Sequence, residues 1–293
     1  MKTIAIGDIS IDRVVESESP LFDPPFLFPD ATVEAVDRER GWLEPHFVDP
    51  VSKKLIMSFH SYVVRTPHHT ILVDACVGND KHRPHRAFWH RLKTPYLADL
   101  AALGVGVEDV DFVMCTHLHI DHVGWNTRLV DGRWVPTFPN AKYVFARKEY
   151  EHWERLHRSK PAEPVNHGSF EDSVLPVVEA GRAVLVETDH EIDARFRLAP
   201  APGHTPGNVI VNLASNGARA VLCGDTIHHA VQMAHPEWSS RFCDDPAQSR
   251  QTRARLIESL ADSATLLLPA HFPNPCAGRV IRHGAGFRFK LGA

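Results

Sequence analysis

The 293-residue chain contains no run approaching the ~18 consecutive apolar residues of a membrane-spanning helix, no internal repeat, no low-complexity tract and no linker that would divide it. It also lacks an excess of positive charge: 32 Lys and Arg against 36 Asp and Glu leave a formal net charge of −4. Nucleic-acid and anionic-membrane partners need a basic face to neutralise phosphates, so neither is expected. Five cysteines (Cys76, Cys115, Cys223, Cys243 and Cys276) form an odd set with no CxxC pair, which speaks against a disulfide framework. Cys115 and Cys223 fall in apolar runs, where a buried thiol is ordinary. The opening MKTIAIGDISIDRVV alternates like a strand and has neither the apolar core nor the small-residue cleavage site of a signal peptide. A cytoplasmic location is the expectation.

With 43% hydrophobic and 23% charged residues, the sequence suits a globular protein able to bury a sizeable core. Pro and His concentrate in two stretches that read as long loops, 19–50 and 79–93. Between them KLIMSFHSYVVRT and HTILVDACV read as strands joined by a turn at Pro67-His68-His69. Thr94-Pro95 is expected to open a helix, with Thr94 as its cap. DVDFVMCTH then reads as a buried strand, AKYVFARKEYEHW as a strand running into a helix, and SFEDSVLPVVEAG as helical. AVLVETDHEI, RFRLAPAP, NVIVNLAS, ARAVLCGD and ATLLLPAHF read as strands, with a long helix capped by Asp245-Pro246 before the last of them. Strands come in meanders with a few helices between them, so sheets with helices on their outer faces are expected, in one domain over 1–293 with an N-terminal elaboration at about 1–50.

Histidine is what the chain has in excess: 20 residues, of the type that most often binds metals. Four potential ligands fall within six positions in Cys115-Thr116-His117-Leu118-His119-Ile120-Asp121-His122, where a strand delivers them to a loop followed by Gly124. His204 in PAPGHTPGN, Asp225 in AVLCGDT and His271 in LLLPAHF follow strands in the same way, although taken alone they also fit core or surface positions. Seven nitrogen and oxygen donors exceed what one tetrahedral zinc uses and suit two ions sharing a carboxylate.

The segments ILVDACVG, THLHIDHVGW, PGHTPG, LCGDT and LPAHF, in this order, resemble the metallo-β-lactamase superfamily, and within it the N-acyl homoserine lactonase and methyl parathion hydrolase branch. The resemblance implies an αββα four-layer α/β sandwich carrying two divalent ions, zinc by default, with manganese, iron or cobalt able to use the same donors. By position it implies one metal site of His117, His119 and His204, a second of Asp121, His122 and His271, and Asp225 bridging both. Asp74 matches an aspartate that sits behind the ligands and orients them. Two departures stand out. His228 occupies the place where those lactonases carry a tyrosine that assists the substrate carbonyl, and Asn208 follows PGHTPG where a second histidine is frequent.

The expected activity is hydrolysis of a small-molecule lactone or carboxylic ester by a metal-bridging hydroxide, with Asp121 passing the proton to the leaving oxygen and His228 aiding the carbonyl. A phosphotriesterase shares the same site chemistry, a glyoxalase II-like thioesterase ranks lower, and a non-catalytic sensor on the same fold would normally have lost ligands. Branch members are commonly homodimers. Phe26, Phe28, Phe88 and Trp89 are candidates for the wall of an apolar pocket or, equally, for core anchors, and His82, His85 and His90 read as solvated loop residues.

Overall fold

Alternation of apolar residues builds the first hairpin. Ile4, Ile6, Ile9 and Ile11 are all buried, and β1 (Ile4–Ile6) pairs antiparallel with β2 (Ile9–Phe22) across a two-residue Gly7-Asp8 turn. Gly7 has φ 62°, the left-handed conformation that such a turn takes from glycine without penalty. The structure, a computed structural model, describes residues 2–160 and 163–292. They form two units, each assembled from separate stretches: Lys2–Glu16 with Phe59–Thr188, and Ser17–Ser58 with the chain from Asp189 onward. No helix among the described residues is long and apolar enough to cross a membrane.

In the Phe59–Thr188 unit the sheet continues through β3 (Leu55–Arg65), β4 (Thr70–Val73) and β5 (Phe112–Met114). A two-stranded ribbon, β6 (Thr127–Val130) with β7 (Arg133–Pro136), stands apart before β8 (Lys142–Ala146) and β9 (Ala183–Val186) complete the sheet in the order β1-β2-β3-β4-β5-β8-β9. From β4 to β9 the pairing is parallel, so the chain returns between strands through connecting segments such as helix Arg147–Ser159. That helix buries Tyr150 and Trp153 in a core with Val113, Phe138, Tyr143, Phe145 and Phe170. Helix Tyr96–Ala102 begins one residue later than expected: Pro95 is its N-cap, and the Thr94 hydroxyl instead bonds to Asn79 Oδ1 at 3.1 Å.

The second unit holds a seven-stranded sheet in sequence order: β10 (Glu191–Asp193), β11 (Phe196–Pro200), β12 (Val209–Ser215), β13 (Ala218–Leu222), β14 (Leu266–Leu268), β15 (Gly278–His283) and β16 (Gly286–Leu291). Only β13 and β14 pair parallel, and the crossover between them carries helix Pro246–Leu260, whose cap Asp245 accepts from Gln248 N at 2.9 Å. Residues 19–50 are more ordered than a loop. β2 runs to Phe22, and short helices cover Pro24–Leu27, Val33–Arg38 and Arg40–Leu43. Pro24 and Pro25 preset φ for a helical first turn, and Thr32 caps the next helix through Ala35 N. This stretch belongs to the core of its unit: Phe47 meets Phe272 and Phe289 with ring centroids 5.3 and 6.1 Å apart.

Two features hold loops that matter below. A turn at residues 74–78 lies against Gly124 so closely that a Cβ on Gly124 would sit 1.8 Å from the Val77 carbonyl oxygen. Gly124→Ala is therefore expected to cost at least about 3 kcal/mol, measured by urea unfolding. The 79–93 loop is pinned by Lys81, fully buried, whose Nζ donates to Thr127 Oγ1 at 2.6 Å beside Asp172 and lies 3.6 Å from the Trp134 ring centroid. Burial lowers its pKa to about 7, with the Asp172 carboxylate opposing the shift. The folded chain thus gives up this proton at lower pH than the unfolded chain, and between about pH 7 and 10.5 the unfolded chain binds more protons. The lysine's contribution to stability accordingly rises with pH across that window. Unfolding free energies at pH 7 and 9.5 should shift in favour of wild type relative to Lys81→Met; a pH-independent difference would contradict this.

Candidate metal centre

The candidate residues fall into two groups, one in each unit. In the Phe59–Thr188 unit, β5 ends at Met114 and delivers Thr116 to Asp74: Thr116 N and Oγ1 both donate to Asp74 Oδ1, at 2.7 and 3.1 Å. With its hydrogen committed to Asp74, the Thr116 oxygen accepts from His117 Nδ1 at 3.2 Å, which leaves His117 Nε2 with its lone pair. His122 Nδ1 is 3.0 Å from Asp74 Oδ2, and the same logic turns its Nε2 outward. The rings of His117, His119 and His122 gather closely, with His117 4.7 Å from His119 and 4.1 Å from His122 by centroid. Asp121 Oδ2 lies 3.9 Å from His122 Nε2 and is less buried than the histidines 117 and 122.

The loop carrying them is braced on both sides. Buried Glu149 accepts from Leu118 N at 3.0 Å and Trp153 Nε1 at 2.7 Å, and Trp153 sets its edge against His119. Asp74 and Cys76 adopt left-handed φ of 60° and 46° in the turn that receives the loop. That conformation is held by Ala75 N to His122 O, Gly124 N to Cys76 O and Trp125 N to Ala75 O, each 2.7–2.8 Å. Below it Glu16 accepts from Val77 N, Gly78 N and Trp125 Nε1 at 2.8, 3.0 and 2.7 Å. Burial raises this carboxyl to about 7 against the pull of those donors.

In the other unit three imidazoles surround Asp225. Its Oδ2 is 3.2 Å from His204 Nε2 and 3.3 Å from His228 Nε2, and its Oδ1 is 2.9 Å from His271 Nε2. His204, Asp225 and His228 form a group able to hold a metal ion. The second nitrogens are spoken for: His271 Nδ1 donates to Ser58 O at 3.1 Å, and His204 Nδ1 lies 3.5 Å from Cys243 Sγ. With the proton on Nδ1, neutral His204 and His271 present lone pairs to a carboxylate, which is repulsive unless positive charge lies between them. Two donors of one tetrahedral zinc, bound at about 2.0–2.1 Å, sit roughly 3.3 Å apart, close to the 3.2 Å between His204 Nε2 and Asp225 Oδ2. The donor set therefore fits a divalent ion. Where a proton takes that place, burial opposes the His204 imidazolium, yet Asp225 and Cys243 outweigh it and lift the pKa to about 10.

His228 differs from these. Its backbone N is fixed by Gln232 Oε1 at 2.7 Å, but neither ring nitrogen makes a hydrogen bond among the described residues, and burial lowers its pKa to about 3. His229 is structural: Nε2 bonds to Phe47 O at 2.8 Å while Nδ1 accepts from Val231 N. Of the aromatic candidates, Phe28 is fully buried against Trp238 and anchors the core, and Trp89 packs on Phe59; Phe26 and Phe88 are exposed. His82, His85 and His90 enter no metal-holding group among the described residues, and His90 Nδ1 accepts from Arg83 N. Asn208, at the departure from the family pattern, bonds to Ala201 O at 2.8 Å and braces its own loop. Sequence reasoning missed Glu16, Ser58, Glu149 and Cys243. Each lies far along the chain from the residue it supports, and none belongs to a local motif.

A match to the metallo-beta-lactamase superfamily extends over residues 60–271. An N-acyl homoserine lactonase of Bacillus thuringiensis is 26% identical over 123 residues, 42% of this chain and 40% of that protein. The lactonase AttM of Azorhizobium caulinodans is 41% identical over 56 residues, 19% of this chain and 18% of its own. The chain thus spans well under half the length of these curated relatives. Among solved structures, hydrolase AbOPH of the beta-lactamase superfamily superposes with a TM-score of 0.79 at 25% identity, covering 99% of this chain and 97% of its own. AidC, a dizinc quorum-quenching lactonase, gives 0.75 at 18% identity over 100% and 97%, a likeness of fold. The family match covers most of the sequence and includes both histidine groups, and the mixed α/β fold agrees: the chain belongs to the metallo-β-lactamase superfamily.

Proposed function

We propose that the chain is a metal-dependent hydrolase of lactones or simple carboxylic esters that works with two divalent ions, zinc by default. The observation that carries this reading is the Asp225 carboxylate faced at 2.9–3.2 Å by imidazole nitrogens of His204 and His271, whose second nitrogens already have partners in Cys243 and Ser58. His117, His119 and His204 would hold one ion, Asp121, His122 and His271 the other, and Asp225 would be shared, all within a single domain. When bound, such ions bring the pKa of a coordinated water toward neutrality and set positive charge beside a carbonyl oxygen.

The chain's own residues do the rest. Thr116, Asp74 and Ser58 fix ring orientation, so no reorganisation is needed at the moment of reaction. Asp121, less tightly buried than its neighbours, carries the proton to the leaving oxygen. His228 donates to the substrate carbonyl oxygen and does not ligate: a metal-bound histidine almost always has its other ring nitrogen pinned, as in His117, His204 and His271, and His228 does not. The lactone preference follows the relatives, which are N-acyl homoserine lactonases. A homodimer in the cytoplasm completes the reading.

Proton release on a pH-stat tests the substrate. Zinc-loaded protein with a medium-chain N-acyl homoserine lactone should reach a kcat/KM above roughly 10⁴ M⁻¹s⁻¹, fall to background with a chelator and recover with added zinc. No release from protein that holds its metal would sink the lactone reading. His228→Phe should lower kcat about 100-fold with KM little changed and zinc content intact. Loss of zinc in that variant would instead make His228 a ligand.

A further inference from the structure

Each of four candidate ligand histidines has a partner for its second nitrogen, and three of the partners are oxygens: Thr116 Oγ1, Asp74 Oδ2 and the Ser58 carbonyl. The fourth is sulfur. Cys243 Sγ lies 3.5 Å from His204 Nδ1 and donates to Ser249 Oγ at 3.3 Å. Ser249 Oγ also accepts from Arg253 Nη1 at 3.2 Å, and the guanidinium is fully buried, with Nη2 on Ser239 Oγ and Nε on Pro236 O. The hydrogens in this chain run one way. The Cys243 S–H points to Ser249, so the sulfur meets His204 with lone pairs, and the shared hydrogen belongs to His204 Nδ1.

The backbone repeats the clamp. Asp244 N donates to His204 O at 2.9 Å and Asp245 N to Gly203 O at 3.0 Å. Gly203, at φ 126°, lies so close to the start of helix Pro246–Leu260 that a Cβ there would sit 2.2 Å from Ser249 N. The 243–249 segment thus grips the 203–204 backbone and its sulfur grips the ring. On the far side of that ring Nε2 faces Asp225 Oδ2 at 3.2 Å, an approach of lone pair to carboxylate that calls for a cation.

We propose that Cys243 is the positioning residue of His204, accepting its Nδ1–H and so holding Nε2 toward a metal ion. This rests on the metal-dependent reading given above.

The test compares wild type, Cys243→Ala and Cys243→Ser for zinc affinity by chelator competition and for the visible spectrum of the cobalt(II)-loaded protein. Cys243→Ala should bind zinc about 10- to 100-fold more weakly and show an altered cobalt spectrum, while Cys243→Ser, which keeps an acceptor, recovers most of both. Unchanged affinity and spectrum in Cys243→Ala overturn the proposal, and so do equal losses in Ala and Ser, which would point to the bulk of the sulfur. Should Cys243→Ala fail to fold, Cys243→Val, close to cysteine in volume and without an acceptor, should show the same loss, and full affinity in that variant overturns the proposal as well. Zinc binding is read without any substrate. Wild type that takes up no zinc therefore removes the hydrolase reading and this proposal together, whereas zinc-binding protein inert to lactones leaves this proposal standing.

Discussion

Buried carboxylates and imidazoles cannot be brought together without deciding where each proton sits. At Asp225 the decision has been taken remotely, by the Ser58 carbonyl behind His271 and the Cys243 sulfur behind His204. The Nε2 atoms of these two histidines then meet the carboxylate with lone pairs, and like polarity meets like at 2.9–3.2 Å. Such an arrangement is costly in a medium of low dielectric unless a cation joins it. In the other unit Asp74 governs in the same manner, collecting Thr116 and His122 and, through Thr116, His117. These outer partners carry the information about what the site binds, and the rest of each unit is built to hold them still.

That holding has a local cost. Asp74 and Cys76 lie in left-handed conformations, and two backbones touch where Gly124 meets Val77. Non-glycine residues keep such conformations only where surrounding bonds over-determine them. Here the end of β5, the loop after His122 and the Glu16 side chain from the middle of β2 do so. Glu16 is the keystone of the turn, since Val77, Gly78 and Trp125 all donate to it.

Much of this was legible in the sequence, for identifiable reasons. H-x-H-x-D-H packs its donors into six positions, so proximity in sequence guarantees proximity in space, and the apolar run DVDFVMC before it could only be a buried strand. The Asp245-Pro246 cap located helix Pro246–Leu260, and apolar strand-like runs located strands β11 to β14. What sequence could not supply was long-range. Glu16 reaches Trp125 and Cys243 reaches His204 across 109 and 39 positions, with no periodic signal to announce the meeting. The 19–50 stretch read as a loop because its helices are four to six residues long, shorter than a hydrophobic period can reveal. The aromatic residues divided between the two readings for another reason: composition does not say which side chains of a short segment turn inward, and Phe28 and Trp89 turned in while Phe26 and Phe88 did not.

The interleaving of the two units has a bearing on biogenesis. Chains are made from the N-terminus, and a unit whose segments are already synthesised can fold before the rest emerges. Everything in the Phe59–Thr188 unit is available once residue 188 has been made, including the His117–His122 group and its Asp74 and Glu16 supports. Residues 17–58, by contrast, must wait for their partners, because the sheet they accompany is encoded after Asp189 and its last hairpin, β15–β16, lies downstream of His271. Phe47 has no Phe272 or Phe289 to meet until then. The His117–His122 group is therefore complete in the nascent chain well before His204, Asp225 and His271 have been synthesised, so translation itself separates the two groups in time.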